Sequence, residues 1–187
     1  MSHMKRLRYA VCCVFAAVSL VPISGLAFDY KLSVDQIAAD PLTAYQTVYL
    51  GMPRADFDEN FIGLPDWKFV DCEDIHEERA ERSTGNGHDD VTEGIRIVSA
   101  NTAPDGKVLA FDNYFKTKSK GIAKSIYTRL IATIYANMEN FPQSRQRMQM
   151  TWVQNDVTIV VSHAEQKDAQ GYYTVTIHRY NNRALQE

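Results

Sequence analysis

Cysteine is scarce in this chain: three in 187 residues. Two of them, Cys12 and Cys13, sit in an apolar N-terminal run. Cys72 alone lies beyond it, so no disulfide can form within the remainder, and stability there must come from an apolar core. Positive charge is also in short supply. Lys and Arg number 20 against 23 Asp and Glu, and Lys5, Arg6 and Arg8 belong to the N-terminal segment. Residues 28–187 therefore hold 17 basic side chains against 23 acidic ones, which argues against a nucleic-acid binder. Catalytic fingerprints are missing as well. There is no G-x-S-x-G elbow, no Gly-rich phosphate loop and no Rossmann motif. The sequence implies no cofactor.

What is present begins with a basic cluster, an apolar run from Tyr9 to Pro22, and Gly25-Leu26-Ala27. This order reads as a secretory signal peptide over residues 1–27. A membrane anchor fits less well, because the apolar run is shorter than the ~20 residues a span needs. The expectation is a secreted or periplasmic protein beginning at Phe28, and N-terminal sequencing of exported material checks it. An intact, membrane-embedded segment up to Ala27 would defeat the assignment. Residues 28–187 suit one domain.

The strongest periodicity runs from Gly121 to Phe141. Ile122, Ile126, Leu130, Ile134 and Met138 recur every four residues, with Ala123, Tyr127, Ile131 and Tyr135 beside them. That wide apolar side predicts a helix lying on a sheet, ended by Pro142. Two shorter helices are expected earlier. One runs over Ser33–Gln46, with Ser33 as N-cap and Pro41 interrupting it. The other follows Pro53, with Phe57 and Phe61 one turn apart, and stops at Gly63 and Pro65.

Strands are expected at Trp67–Asp74, Gly94–Ala100 and Lys107–Lys116, and after the long helix around Met148–Trp152, Val157–Val161 and Tyr173–Ile177, where apolar residues alternate. Residues 71–93, with nine acidic side chains and two arginines, read as a solvated hairpin or loop. The predicted class is α+β, an antiparallel sheet with helices on one face in the order ααβββ-αβββ, a possible divergent repeat.

Gly51-Met52-Pro53-Arg54-Ala55-Asp56-Phe57 resembles the helix opening of the BamE/SmpA outer-membrane-assembly lipoproteins. The β-lactamase inhibitory proteins carry related helix–helix–sheet units in tandem. Pro53 and Phe57 depart from the pattern, and no lipid-modifiable cysteine follows the signal. The resemblance implies a small envelope or secreted binding domain and carries over no partner.

Candidate chemistry is thin. Cys72, His76, His88, Asp89 and Asp90, with Glu73 and Glu77, offer zinc-compatible donors but no standard spacing. Ser162 and His163 are adjacent, so a strand would point them to opposite faces. Cys72 reads as a small buried hydrophobe, with pairing between chains or a role as a thiol nucleophile as the alternatives. Lys116, Lys118, Lys120 and Lys124 cluster before the long helix, either as ordinary solvated flank or as a patch for anionic lipid or an acidic partner.

The function favoured is protein–protein interaction with another envelope or secreted protein. If Tyr173, Val175 and Ile177 face the core, then Tyr172, Thr174, Thr176, His178 and Tyr180 face outward. Thr151, Val153, Thr158, Val160 and Ser162 join them from neighbouring strands. Such a face suits an interface, with Tyr172 and Tyr180 as anchors and His178 as a pH-sensitive contact. An extracytoplasmic hydrolase and a small-ligand-binding envelope domain are the alternatives.

Overall fold

The structure, a computed structural model, describes residues 28–182 apart from Asn86, His88 and Glu139. The expected signal segment 1–27 and the tail 183–187 lie outside the described residues. In chain order the elements are α1 Tyr30–Ala39, α2 Arg54–Phe61, β1 Lys68–Phe69, β2 Glu77–Ser83, β3 Val91–Ser99 and β4 Val108–Thr117, then α3 Lys120–Asn137, β5 Ser144–Gln146, β6 Gln149–Gln154, β7 Val157–His163 and β8 Tyr173–Asn181. The strands make one sheet, antiparallel throughout, in the order β1-β2-β3-β4-β8-β7-β6-β5. Two meanders thus meet along their last strands, β4 and β8, with Phe115 opposite Val175.

The α+β class holds, but each half carries four strands where three were expected. The missing strand of the first half is β2, inside the acidic segment. It escapes a hydrophobic reading because Ala80 is its one apolar residue. Its charges are matched by partners instead: Glu77 by Arg96, Glu78 by Arg54, Glu81 by Lys116, and Arg82 by Glu93. The strand expected over Trp67–Asp74 shrinks to Lys68–Phe69. In the second half, β5 is a three-residue edge strand without an apolar side chain.

Helix α3 buries Ala123, Ile126, Leu130 and Ile134. Ser119 caps it, its hydroxyl accepting from the Ile122 N–H at 3.4 Å. The helix ends at Asn137, five residues before Pro142, and Met138 continues in an extended conformation that lets its side chain reach the core. Helix α1 begins earlier than expected. Asp29, not Ser33, is its N-cap and accepts from the Lys31 N–H at 2.9 Å. A carboxylate four residues upstream takes the capping role, and Ser33 lies inside the helix, where its hydroxyl accepts from Arg82 at 2.7 Å. Asp40 ends α1 just before Pro41.

Two cores result, both on one face of the sheet. Under α1 and α3, Val34, Ile37, Leu130 and Ile134 pack on Phe115, Trp152, Ile159, Val161, Val175 and Ile177. Under α2, Phe57 and Phe61 pack with Met52, Ile95, Ile97 and Phe111. Gly51, at φ +84°, lets the chain turn into α2, with Pro53 as the N-cap rather than the first helical residue. Burying each large aliphatic side chain contributes about 1.5–3 kcal/mol.

Two arginines, one fully buried and one half-buried, fasten the layers. Arg179, fully buried on β8, donates to the Pro41 carbonyl at 2.6 Å and to Asn113 Oδ1 at 2.8 Å, and lies over the Phe111 ring. Burial pushes its guanidinium down to about 9. Arg82 lies between the rings of Phe28 and Trp67, 4.0 and 4.7 Å from their centroids. It pairs with Glu93, which is fully buried and also accepts from the Tyr45 hydroxyl.

Candidate functional site

On β8, Val175, Ile177 and Arg179 are buried beneath the helices. The strand pleat therefore sends Thr174, Thr176, His178 and Tyr180 to the opposite face. The registers extend that face across the sheet. Thr176 is flanked by Tyr114 and Ser162, His178 by Asp112 and Val160, and Tyr180 by Ala110 and Thr158. Beyond these, Val160 faces Thr151 and Thr158 faces Val153. The expected open-face residues of β6, β7 and β8 thus share one face, although Thr158 is buried there, its hydroxyl donating to Asn182 Oδ1 at 2.7 Å.

Tyr172 lies just outside β8, beside Thr92 and Lys118. Its N–H donates to Asp168 Oδ1 at 2.8 Å. Its ring lies below the Lys118 ammonium, 5.4 Å away. Tyr180 is eight residues further along, about 26 Å in an extended strand. The two tyrosines expected as a joint anchor stand at opposite ends of the sheet.

Half of this face is charged. Tyr, Thr, Ser and Val occupy β6 to β8, but β2, β3 and β4 present Glu77, Arg79, Glu81, Arg96, Asp112 and Lys116. Arg96 is the hub. It donates through Nε to Asp112 Oδ2 at 2.8 Å and through Nη1 to Glu77 Oε1 at 3.0 Å. Asp112 is buried and also meets His178 Nδ1, so the imidazole stands on the seam between the charged and uncharged halves. Burial works to raise the Asp112 carboxyl, but His178 and Arg96 outweigh it and hold it below the ordinary carboxylate range. The His178 ring in turn tilts against Tyr180, with centroids 5.2 Å apart. An open depression of about 240 Å³ lies beside this hub, with Arg79, Asp112, Tyr114 and Thr176 in its lining.

The charged residues were legible in part. Odd positions of Val91–Ser99 carry Val91, Ile95 and Ile97, so Arg96 must point the other way. What the sequence hides is that Asp112 sits opposite Arg96 and His178 at once, because that depends on cross-strand register.

A glycine shapes the same surface. Gly94 lies between Glu81 and Tyr114 in the register, and the Tyr114 side chain crosses it to donate to the Glu81 carboxylate. A Cβ on Gly94 would meet Tyr114 Cζ at 2.0 Å. Gly94→Ala is expected to displace that ring, break its hydrogen bond and cost about 1–3 kcal/mol. Chemical denaturation checks this, and an unchanged midpoint would mean that the ring moves aside freely.

The other candidates are not assembled. Cys72 is half-buried, with Sγ 3.6 Å from the Val70 carbonyl and 3.9 Å from Arg79. Among the described residues no three His, Cys, Asp or Glu side chains are grouped to hold a metal ion, and His88 lies outside the described residues. Ser162 is on the open face, and His163 is buried on the other. The lysine cluster divides. Lys116 lies near Tyr114 and Glu81 on the open face, and Lys120 and Lys124 line a cavity beside α3.

Fold and surface together define a sheet-dominated α+β protein with helices on one side and a polar, aromatic sheet face on the other. No family model matches the chain, and no curated protein or solved structure matches it. Among the described residues no helix is long and apolar enough to cross a membrane.

Proposed function

We propose that this chain is an exported binding module that engages another envelope or secreted protein through the open face of its sheet. The observation that carries the reading is the one-sided helical cover. It leaves Thr174, Thr176, His178 and Tyr180 half-buried in a strip of Tyr, Thr and Val beside a self-neutralised charge network. A merely solvated sheet face more often carries unpaired Lys and Glu. Tyrosine supplies broad contact area with a polar tip, as interfaces favour. The matched charges of Arg96, Asp112 and Glu77 suit a partner with polar groups of both signs rather than a strongly charged one. The two meanders, each led by a helix and closed by its longest or equal-longest strand, are read as divergent copies of one unit. Export through cleavage before Phe28 belongs to the same proposal.

Affinity capture from the native envelope fraction tests the reading. Tyr180→Ala is expected to reduce recovery of the captured protein at least tenfold and leave the melting temperature nearly unchanged. Tyr172→Ala, at the far end, is expected to have a separate and smaller effect. Equal recovery with the double variant would place the binding surface elsewhere.

A further inference from the structure

A cavity of about 580 Å³ lies between α3 and the β6–β7 region. Lys120 and Lys124 project from α3, and Arg147 stands across from them. Neither lysine pairs with a carboxylate among the described residues. Glu165, 3.6 Å from Arg147, is the one acidic side chain in the lining. Three cations and one anion leave the cavity with a net charge of about +2 at neutral pH.

His163 lines the same cavity and is 5 % exposed, yet among the described residues neither of its ring nitrogens has a hydrogen-bond partner. Tyr127 stacks on it, with centroids 5.8 Å apart, and the Tyr127 hydroxyl is also buried and unpartnered. Three unsatisfied polar atoms at one place carry a desolvation cost unless something bonds them. Burial, with Lys120 nearby, pushes the imidazole below its ordinary value. At neutral pH it is therefore an uncharged ring with one N–H donor and one acceptor nitrogen.

We propose that this cavity binds a small phosphate monoester, its dianionic head held by Lys120, Lys124 and Arg147 and its hydroxyl-bearing body bonded to His163 and Tyr127. A dianion balances the net charge, where a monocarboxylate would leave one positive charge uncompensated. The volume falls within the range of small-molecule sites. Two sources share this chemistry, a soluble sugar or glycerol phosphate and the head of an anionic lipid. Arg147 and His163 also border a depression that reaches Thr174 and Thr176, but Lys120, Lys124 and Tyr127 do not, so the lysine variants test this site separately from Tyr180 on the open face.

The test titrates glycerol phosphate into full-length protein at low ionic strength, observed by the imidazole resonances of the histidines. Vesicles of phosphatidylcholine with and without phosphatidic acid are assayed in parallel by flotation. The expected result is saturable binding that perturbs His163 selectively and weakens at least tenfold in Lys120→Gln/Lys124→Gln and in His163→Gln. The lysine variants change exposed side chains and preserve the fold if the histidine variant does not. Binding only to phosphatidic acid vesicles, with the same dependence on these residues, supports the site and assigns the lipid source. Binding of neither probe, or binding that the lysine substitutions leave unchanged, overturns the proposal.

Discussion

Leu130→Ala is expected to lower the unfolding free energy by about 2–5 kcal/mol. Leu130 is fully buried, on the same side of α3 as Ile126 and Ile134. The sheet beneath it is filled by Phe115, Trp152, Ile159 and Val175, and α1 closes the side through Val34 and Ile37. Removing the isobutyl group loses its transfer free energy, and the surrounding rings and branched residues can collapse only partly into the space. Equilibrium urea denaturation checks the value. A loss below about 0.5 kcal/mol would show that α3 does not seal this core.

Arg82→Ala is expected to be comparably damaging, about 3–5 kcal/mol at mildly alkaline pH, with a strong pH dependence. Arg82 bonds Glu93 at 2.8 Å and Ser33 at 2.7 Å, and its guanidinium fills the space between Phe28 and Trp67. Burial pushes Glu93 up to about 8 and Arg82 down to about 10. A carboxyl raised from its ordinary 4.5 binds more protons folded than unfolded between those two values. Its contribution therefore weakens the fold as pH rises across that window and does no harm below it. Without Arg82 the carboxyl loses its counter-ion, its folded value rises further and the window of falling stability extends to higher pH. At about pH 5 Glu93 keeps its proton and its neutral partners Tyr45 and Ser33, leaving mainly the lost packing between the two rings. Melting curves from about pH 5 to pH 9 measure the effect. Adding Glu93→Gln to the variant should restore a flat profile. A loss of stability independent of pH in Arg82→Ala would show that packing alone accounts for its role.

These two variants also show where sequence reasoning ran out. Leu130 was legible because an apolar residue every fourth position has one physical meaning. The helix must turn that row toward a partner whatever the partner is. The alternation of Val157–Val161 and Tyr173–Ile177 was legible for the same reason, with period two in place of period four. It placed Thr174, Thr176, His178 and Tyr180 on a common face without knowledge of their neighbours. Arg82 and Glu93 gave no such signal. In a segment with nine acidic side chains they looked like solvated charge, and the strand that carries Arg82 has one apolar residue.

The sequence by itself determined the α+β class, the long helix, the apolar faces of the central strands and the outward set on β8, because these follow from local periodicity. Tertiary structure alone decided the rest. It recruited Glu77–Ser83 as a strand, because partners on β3, β4 and α2 pair with four of its five charged side chains. It set β4 against β8, bringing Asp112 between Arg96 and His178. It also buried His163 and the Tyr127 hydroxyl beside three cations drawn from α3 and from the chain just before β6. Each of these depends on which residues meet across long sequence separations, and no local pattern records that.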